Sequence, residues 1–236
     1  MPPSIERGRI TGVAAHYWNG MVFLQAEKGA KELFTSAVAA SGRRCAGIAG
    51  PYVQVQEVLE TILPAYPTPA LNGREILFSL SLESLVVPDL LKKEGISCRF
   101  PTDDEVDTVI AMRIAFMREH LKKDTRDSLE EEAREMVVYQ HGNKSHWVLE
   151  DADSIVATTA FNASIPGMVQ VGGVYTFPEF RNRGYGRAVV AGALLEARAR
   201  GVKKAILFTG EDMEAATRVY KALGFSPIGE YGLVIF

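Results

Sequence analysis

Residues 168–187 read Met168-Val169-Gln170-Val171-Gly172-Gly173-Val174-Tyr175-Thr176-Phe177-Pro178-Glu179-Phe180-Arg181-Asn182-Arg183-Gly184-Tyr185-Gly186-Arg187. The first nine are mostly β-branched or apolar and stop before Pro178, the pattern of a buried strand. After the turn, Val189, Ala193, Leu194 and Ala197 recur at helical spacing up to Gly201, which reads as an amphipathic helix with a glycine stop. Strand, tight basic glycine turn and helix therefore follow one another. A helix N-terminus carries unpaired N–H groups and roughly half a positive charge, so it suits a phosphate, and glycines let the backbone approach closely. With Arg181, Arg183 and Arg187 adding counter-charge, the turn is suited to a pyrophosphate. Gly172 and Gly173 pack nothing inside a strand, and their use is a bulge that bends it away from its parallel neighbour and opens a wedge.

The turn is Arg-x-x-Gly-x-Gly, neither the dinucleotide fingerprint nor a P-loop. Downstream stands Met213-Glu214-Ala215-Ala216-Thr217-Arg218-Val219-Tyr220-Lys221-Ala222-Leu223-Gly224-Phe225. Together the two stretches resemble the GCN5-related N-acetyltransferase (GNAT) superfamily, with its Arg/Gln-x-x-Gly-x-Gly/Ala turn and later Asn-x-x-Ala-x-x-x-Tyr-x-x-x-Gly-Phe helix. Val174-Tyr175-Thr176-x-Pro178 looks most like the FR47-like branch of predicted acetyltransferases. The resemblance covers about residues 97–236. It implies an α/β fold whose mixed, mostly antiparallel sheet splays at an acetyl-CoA site. It also implies transfer of an acetyl group from that cosubstrate to a primary amine of a small molecule or amino acid by direct attack, where proximity supplies much of the acceleration.

On that resemblance, backbone groups of Val174, Tyr175 and Thr176 pair with the pantetheine arm, and an N–H there steadies the thioester oxygen. Arg181, Asn182, Arg183, Gly184, Tyr185, Gly186 and Arg187 hold the pyrophosphate. Tyr220 is the implied general acid, a phenol that is protonated at neutral pH. Met213 stands where the family has asparagine, so a polar contact to the cofactor is missing. No base is identified: residues 169–176 hold no carboxylate, Glu179 lies too close to the turn, and His146, Glu150 and Asp151 could each relay a proton through water. The competing reading is a catalytically silent acyl-CoA-binding sensor or scaffold, favoured by the absent base and by Met213 and opposed by the intact turn and Tyr220.

The chain has 236 residues, 47% hydrophobic, with a net charge of −3, so it can bury a full core and carries no basic field for nucleic acid. Cys45 and Cys98, far apart and in no metal spacing, suit a reducing cytoplasm as buried thiols. No apolar run reaches the roughly 18 residues of a membrane span, and residues 1–7 show no signal-peptide pattern, so no membrane partner is expected and a cytoplasmic location is. A homodimer is left open.

Ile10 to Ala26 alternates around Asn19-Gly20 as a two-residue hairpin. Ala30 to Ala40 is a helix, Cys45 to Gly50 a short strand, Val53 to Leu63 a helix, Pro64 to Gly73 a loop and Glu75 to Leu82 a strand. This order echoes the second half, and residues 1–95 read as a degenerate GNAT-like subdomain without the Arg-x-x-Gly-x-Gly turn and without a cofactor, ahead of an acetyl-CoA-binding domain over 96–236. In the second part, Thr102-Asp103-Asp104-Glu105 is a capping box. Val106, Val109, Ile110, Arg113, Ile114, Met117 and Leu121 follow on one helix face. A second box at Ser128 opens a helix closed by Gly142, and the basic stretch Arg118 to Lys123 reads as a solvated helix end. Ser145 to Glu150 and Ser154 to Ala163 are antiparallel strands, Lys203 to Thr209 is parallel to the opening strand, Asp212 to Leu223 is a helix, and Pro227 to Gly229 with Tyr231 to Phe236 form a closing strand pair.

Overall fold

The computed structural model describes residues 4–6, 8–120 and 126–236. The side chains of Leu121, Lys122, Lys123 and Ser128, and with them part of the expected helix face, the basic stretch and the second capping box, lie outside the described residues. In chain order the elements begin with β1 (Ser4–Glu6), β2 (Arg9–His16), β3 (Met21–Ala26), α1 (Ala30–Ser41), β4 (Gly47–Pro51), α2 (Tyr52–Ile62) and β5 (Leu71–Ser81). They continue with β6 (Ile96–Arg99), α3 (Val106–His120), α4 (Arg126–Gly142), β7 (His146–Asp151), β8 (Ser154–Ile165) and β9 (Met168–Thr176). The last are α5 (Tyr185–Ala199), β10 (Lys204–Gly210), α6 (Glu214–Ala222) and β11 (Ser226–Ile235). This is an α/β fold, mixed and mostly antiparallel, as expected.

Contacts divide the chain into two compact units. One takes Met1–Leu77, Thr209–Asp212 and Ile228–Phe236, the other Phe78–Phe208 and Met213–Pro227. The division does not fall at residue 95. Nor is the C-terminus a strand pair: β11 is one strand, and its Tyr231 to Ile235 run antiparallel to Pro51 to Gly47 of β4, which returns the end of the chain to the first unit. Gly232 makes that return fit, since a Cβ there would lie 2.8 Å from Val55.

In the first unit the strand order is β1-β2-β3-β4-β11-β5, with β3 and β4 parallel across α1. The β2–β3 connection is wider than a two-residue turn: Tyr17 N–H donates to Met21 O (2.8 Å), and Asn19 Oδ1 accepts from Met21 N–H. Helix α1 buries Ala30, Leu33, Phe34 and Ala37, an i, i+3, i+4, i+7 stripe whose first three residues pack in one core with Val22, Leu24 and Ile48. From α2, Val55, Val58 and Leu59 close the same core.

The second unit has the order β10-β9-β8-β7-β6. Alternation of side chains along β7 sends Trp147 to one face, where its indole donates to Glu196 of α5 (2.7 Å), and Val148 to the other, where it packs with Val109, Ile110 and Val137 of α3 and α4. Helix α3 starts from the expected box: Glu105 accepts from Thr102 N–H (2.8 Å). Arg99 then binds Glu105 and Glu150, and that hydrogen bond holds the Glu105 carboxyl down at about 2. Among the described residues no helix is long and apolar enough to cross a membrane, and no group of three or more His, Cys, Asp or Glu could hold a metal.

Candidate active site

β9 and β10 pair in parallel at three positions, Met168 with Lys204, Val169 with Ala205 and Gln170 with Ile206, and the recorded ladder ends there. β9 runs on to Thr176. On its other edge it stays paired with β8, but Ala160 faces Gly172 while Thr158 faces Tyr175, so three steps of β9 oppose two of β8. That is the expected bulge, and Gly173 turns it with φ +59°. A second shift puts the extra residue Asn162 into β8, and its side chain takes the place a Cβ on Gly172 would need. A Cβ on Gly173 would lie 2.9 Å from Nη1 of Arg113. Both glycines therefore give way to polar side chains, and β9 separates from β10 over Val174, Tyr175 and Thr176.

Beyond β9 a single 3-10 turn, Pro178–Phe180, leads to Arg181. Asn182 (φ 64°) and Gly184 (φ 83°) are left-handed, a conformation that turns successive N–H groups toward a common concavity. Gly184 caps α5 with no side-chain hydrogen bond, and the first turn of α5 holds no acidic residue. The N-terminal N–H groups of this fifteen-residue helix are thus left to a ligand or solvent. Gly186 seats the helix on β9: a Cβ there would lie 3.4 Å from Thr176 Oγ1 and 4.0 Å from Val174 Cγ1. Uncapped amides and the free edge of β9 meet at one corner.

The three arginines of the turn do different things. Arg181 donates through Nε to Thr176 O (3.0 Å) and through Nη2 to Glu119 Oε2 (2.6 Å), and it lies over the Tyr175 ring at 5.5 Å. It clamps the end of α3 to the end of β9, and its hydrogen bond holds the Glu119 carboxyl below the usual range. Arg183 donates to Glu179 O (3.3 Å) and covers Phe180. Arg187 has its Nε buried without a partner, an orphaned donor in the first turn of α5. Tyr185 is buried, and its hydroxyl hydrogen-bonds Asp151, so the turn meets a ligand at this position through its main chain.

Met213 is the N-cap of α6, which is shorter at both ends than its sequence suggests. Tyr220 is buried with its ring 6.4 Å from that of Phe78 and 6.0 Å from that of Phe225. Burial pushes its phenol up to about 12, which keeps it neutral and a donor at physiological pH. One turn earlier the Thr217 hydroxyl is buried without a partner.

Of the three candidate relays, Glu150 is committed to Arg99 and Asp151 to Tyr185. His146 differs. It is 1% exposed, with Nε2 3.1 Å from Nδ1 of His141, whose Nε2 lies 2.8 Å from Oδ1 of the exposed Asp103. An ionised Asp103 only accepts, so His141 donates from Nε2; a neutral His141 then accepts at Nδ1, and His146 donates from Nε2. That tautomer leaves Nδ1 of His146 as a buried lone pair, and this atom has no partner. His146 stands opposite Ala160 of β8, which stands opposite Gly172 of β9, so His146 lies two strands from the bulge. Burial first, and His141 second, hold His146 down at about 4.

Three of these groups escaped the sequence reading: the Glu119 partner of Arg181, the isolation of Arg113 and the Asp103–His141–His146 chain. Arg113 did carry a signal, a cation at a position that the helical period assigns to the core.

Residues 114–225 match the sequence model of the acetyltransferase (GNAT) family. No curated protein matches the chain in sequence. Among solved structures, a GCN5-related N-acetyltransferase from Kribbella flavida superposes with a TM-score of 0.60 at 17% identity, over 91% of this chain and 80% of that one. An acetyltransferase of the GNAT family from Colwellia psychrerythraea gives 0.57 at 12% identity, over 99% and 84%. A GNAT-family acetyltransferase from Novosphingobium aromaticivorans gives 0.56 at 17%, over 90% and 82%. These likenesses carry the fold.

Proposed function

We propose, from the match of residues 114–225 to the acetyltransferase (GNAT) family model, that this protein transfers an acetyl group from acetyl-CoA to the primary amine of a small molecule or amino acid, by direct attack in a ternary complex. The observation that carries the reading is the corner where the β9–β10 ladder stops at Gln170 and the uncapped N-terminus of α5 begins at Gly184. A helix N-terminus without a cap favours a diphosphate, and a strand edge without a partner favours an extended amide-bearing arm. The orphaned Arg187 Nε and Thr217 hydroxyl fit the same ligand, since each gains a partner when polar atoms arrive.

Acetyl-CoA supplies an activated thioester; the chain supplies orientation and proton management. N–H groups at the Gly173–Val174 bulge steady the oxyanion, a term that grows where water is excluded. Tyr220 donates a hydrogen bond to the departing sulfur. With its phenol at about 12 and a thiol near ~8.5, full transfer is uphill, so the hydroxyl acts by donating as the bond breaks. His146, held at about 4, does not store a proton, so the amine's proton leaves to water and reaches Nδ1 of His146 only in concert with release on the other side of the ring. Nε2–H of His146 passes a proton to His141, and Nε2–H of His141 passes one to Asp103 at the surface.

The test is release of free thiol from acetyl-CoA against a panel of amines, beside a calorimetric titration of coenzyme A. Thiol release with at least one amine is expected. Tight binding with no turnover on any amine would instead support a silent acyl-CoA-binding module.

A further inference from the structure

Arg113 lies midway along α3 with its guanidinium over the Phe116 ring at 5.0 Å. Its Nε is buried without a partner. Among the described residues its Nη2 donates to the sulfur of Met136 at 2.9 Å, a weak acceptor, and no carboxylate lies within salt-bridge distance of it. Burial lowers the guanidinium to about 10, and among the described residues Glu132 of α4 acts on it as a charge at longer range. A cation taken out of water without a counter-ion costs several kcal/mol, and a fold keeps such a group where something else completes it. Nη1 points at the Gly173 bulge, where a Cβ would be 2.9 Å away.

Resting on the acetyl-transfer reading above, we propose that Arg113 is the anchor for a carboxylate on the acceptor, which makes the substrate an amino acid or a similarly compact amino-carboxylate. A guanidinium presents a planar fork that matches a carboxylate in two parallel hydrogen bonds. A single buried cation balances one negative charge, which suits a carboxylate and leaves a dianionic phosphate under-compensated. The site is separate from the pyrophosphate corner, whose own groups are Arg187 and the amides of residues 182–186. Because Nη1 abuts the residue that turns the bulge, an acceptor held there carries its amine within a few bonds of its carboxylate.

The experiment compares each common amino acid and β-alanine with its carboxamide at fixed acetyl-CoA. The wild type is expected to favour the acid by about 100-fold in kcat/KM, the loss that follows from leaving a buried charged donor unpaired. Arg113→Met should erase that preference by lowering turnover of the acid and sparing the amide. Arg113→Lys, which keeps the charge and covers the case of a misfolded methionine variant, should restore part of it. Coenzyme A affinity should stay the same in both. Equal kcat/KM for acid and amide in the wild type, or equal losses on both in the variants, would overturn the assignment. If no amine is turned over, acetyl transfer itself has failed, and calorimetric titration of the same acids onto the coenzyme A-loaded protein decides the anchor separately: binding of an acid and not its amide, lost in Arg113→Met, supports it, and no such difference ends it.

Discussion

The two parallel strand pairs, β3–β4 in the first unit and β9–β10 in the second, are built alike and finished differently. Each follows a hairpin, is joined by one helix, pairs at three positions and then stops, at Phe23–Ala49 in one and Gln170–Ile206 in the other. Each connecting helix starts from a left-handed glycine with no side-chain cap, Gly29 and Gly184. In the first unit the gap past the ladder is filled from within: the Gln54 amide accepts from Ala26 N–H (2.9 Å) and donates to Ala26 O (2.7 Å), standing in for a strand. Glu32 sits in the first turn of α1, with its Oε2 3.4 Å from where a Gly29 Cβ would be, and satisfies the positive helix end. In the second unit Gly172, Gly173 and Arg187 stand where the first has bulk and a carboxylate. Among the described residues, four of the five buried side-chain donors or acceptors without partners lie in that unit, on Arg113, His146, Arg187 and Thr217. The first unit fills its own gap, while the second keeps most of these unpartnered groups.

The change that most directly closes the open corner is Gly184→Glu. It places a carboxylate where a diphosphate would bind and a side chain at φ 83°, a conformation costly for any residue with a Cβ. Coenzyme A affinity should fall by about 1,000-fold, from charge repulsion and blocked access together. Gly184→Ala separates backbone strain from charge and should lose far less. Calorimetry on both, with circular dichroism as a check on folding, sharpens the contrast; unchanged affinity in Gly184→Glu would place the diphosphate elsewhere.

The two units also answer pH in opposite senses. His146, held down at about 4 by burial, is charged less readily in the folded protein than in the unfolded chain, where a histidine titrates near ~6.5. Its contribution is therefore present above 6.5 and lost as pH falls to about 4, by about 3 kcal/mol at most. Glu105, held at about 2, continues the loss only below 4.5. In the first unit Glu75 is raised to about 7 by burial and then by Asp212, so its contribution is complete below 4.5 and lost as pH rises through 7. Urea unfolding from pH 4 to 8 should show both slopes, and His146→Leu should flatten the acid one. An unaltered acid slope would mean that His146 is charged in the fold.

How much of this was readable depends on the range of the interaction. The strand, turn and helix of residues 168–200, the bulge at Gly172 and Gly173, and the Thr102 box follow from neighbours in the chain, where period, φ preference and capping act locally. The single strand β11 does not, since its partner β4 lies nearly the whole chain away and no local pattern records that pairing. The same holds for the clamp from Arg181 to Glu119: the arginine was read as a phosphate ligand because its carboxylate sits on a helix that the sequence places far off. Gln54 was invisible for a related reason, as an ordinary polar residue on a helix whose use appears only against the end of β3 beyond its ladder with β4.

Tyr220→Phe tests the proposed general acid. Removing the hydroxyl while keeping the ring between Phe78 and Phe225 should lower kcat by about 100-fold, the range of a positioned proton donor, with coenzyme A affinity unchanged. Undiminished turnover would assign the ring to packing alone. Thr217→Val, one turn away, tests whether its orphaned hydroxyl meets the cofactor, and a loss in affinity without a loss in kcat is expected.

The smallest effect tests the closed half. Gln54→Ala withdraws both hydrogen bonds from Ala26, a residue 7% exposed, and leaves its N–H and C=O facing a cavity the size of an amide. If the side chain does the work of a missing strand, stability should fall by about 1–3 kcal/mol, the cost of stranding buried backbone groups. Acetyl transfer should be untouched, because the chemistry belongs to the other unit. Urea titration beside the thiol assay reads both. A neutral outcome in stability would mean that water completes the β3 edge as well as glutamine does, and the difference between the two strand pairs would then lie in Glu32 and Arg187, at the helix ends, and not in the gap between the strands.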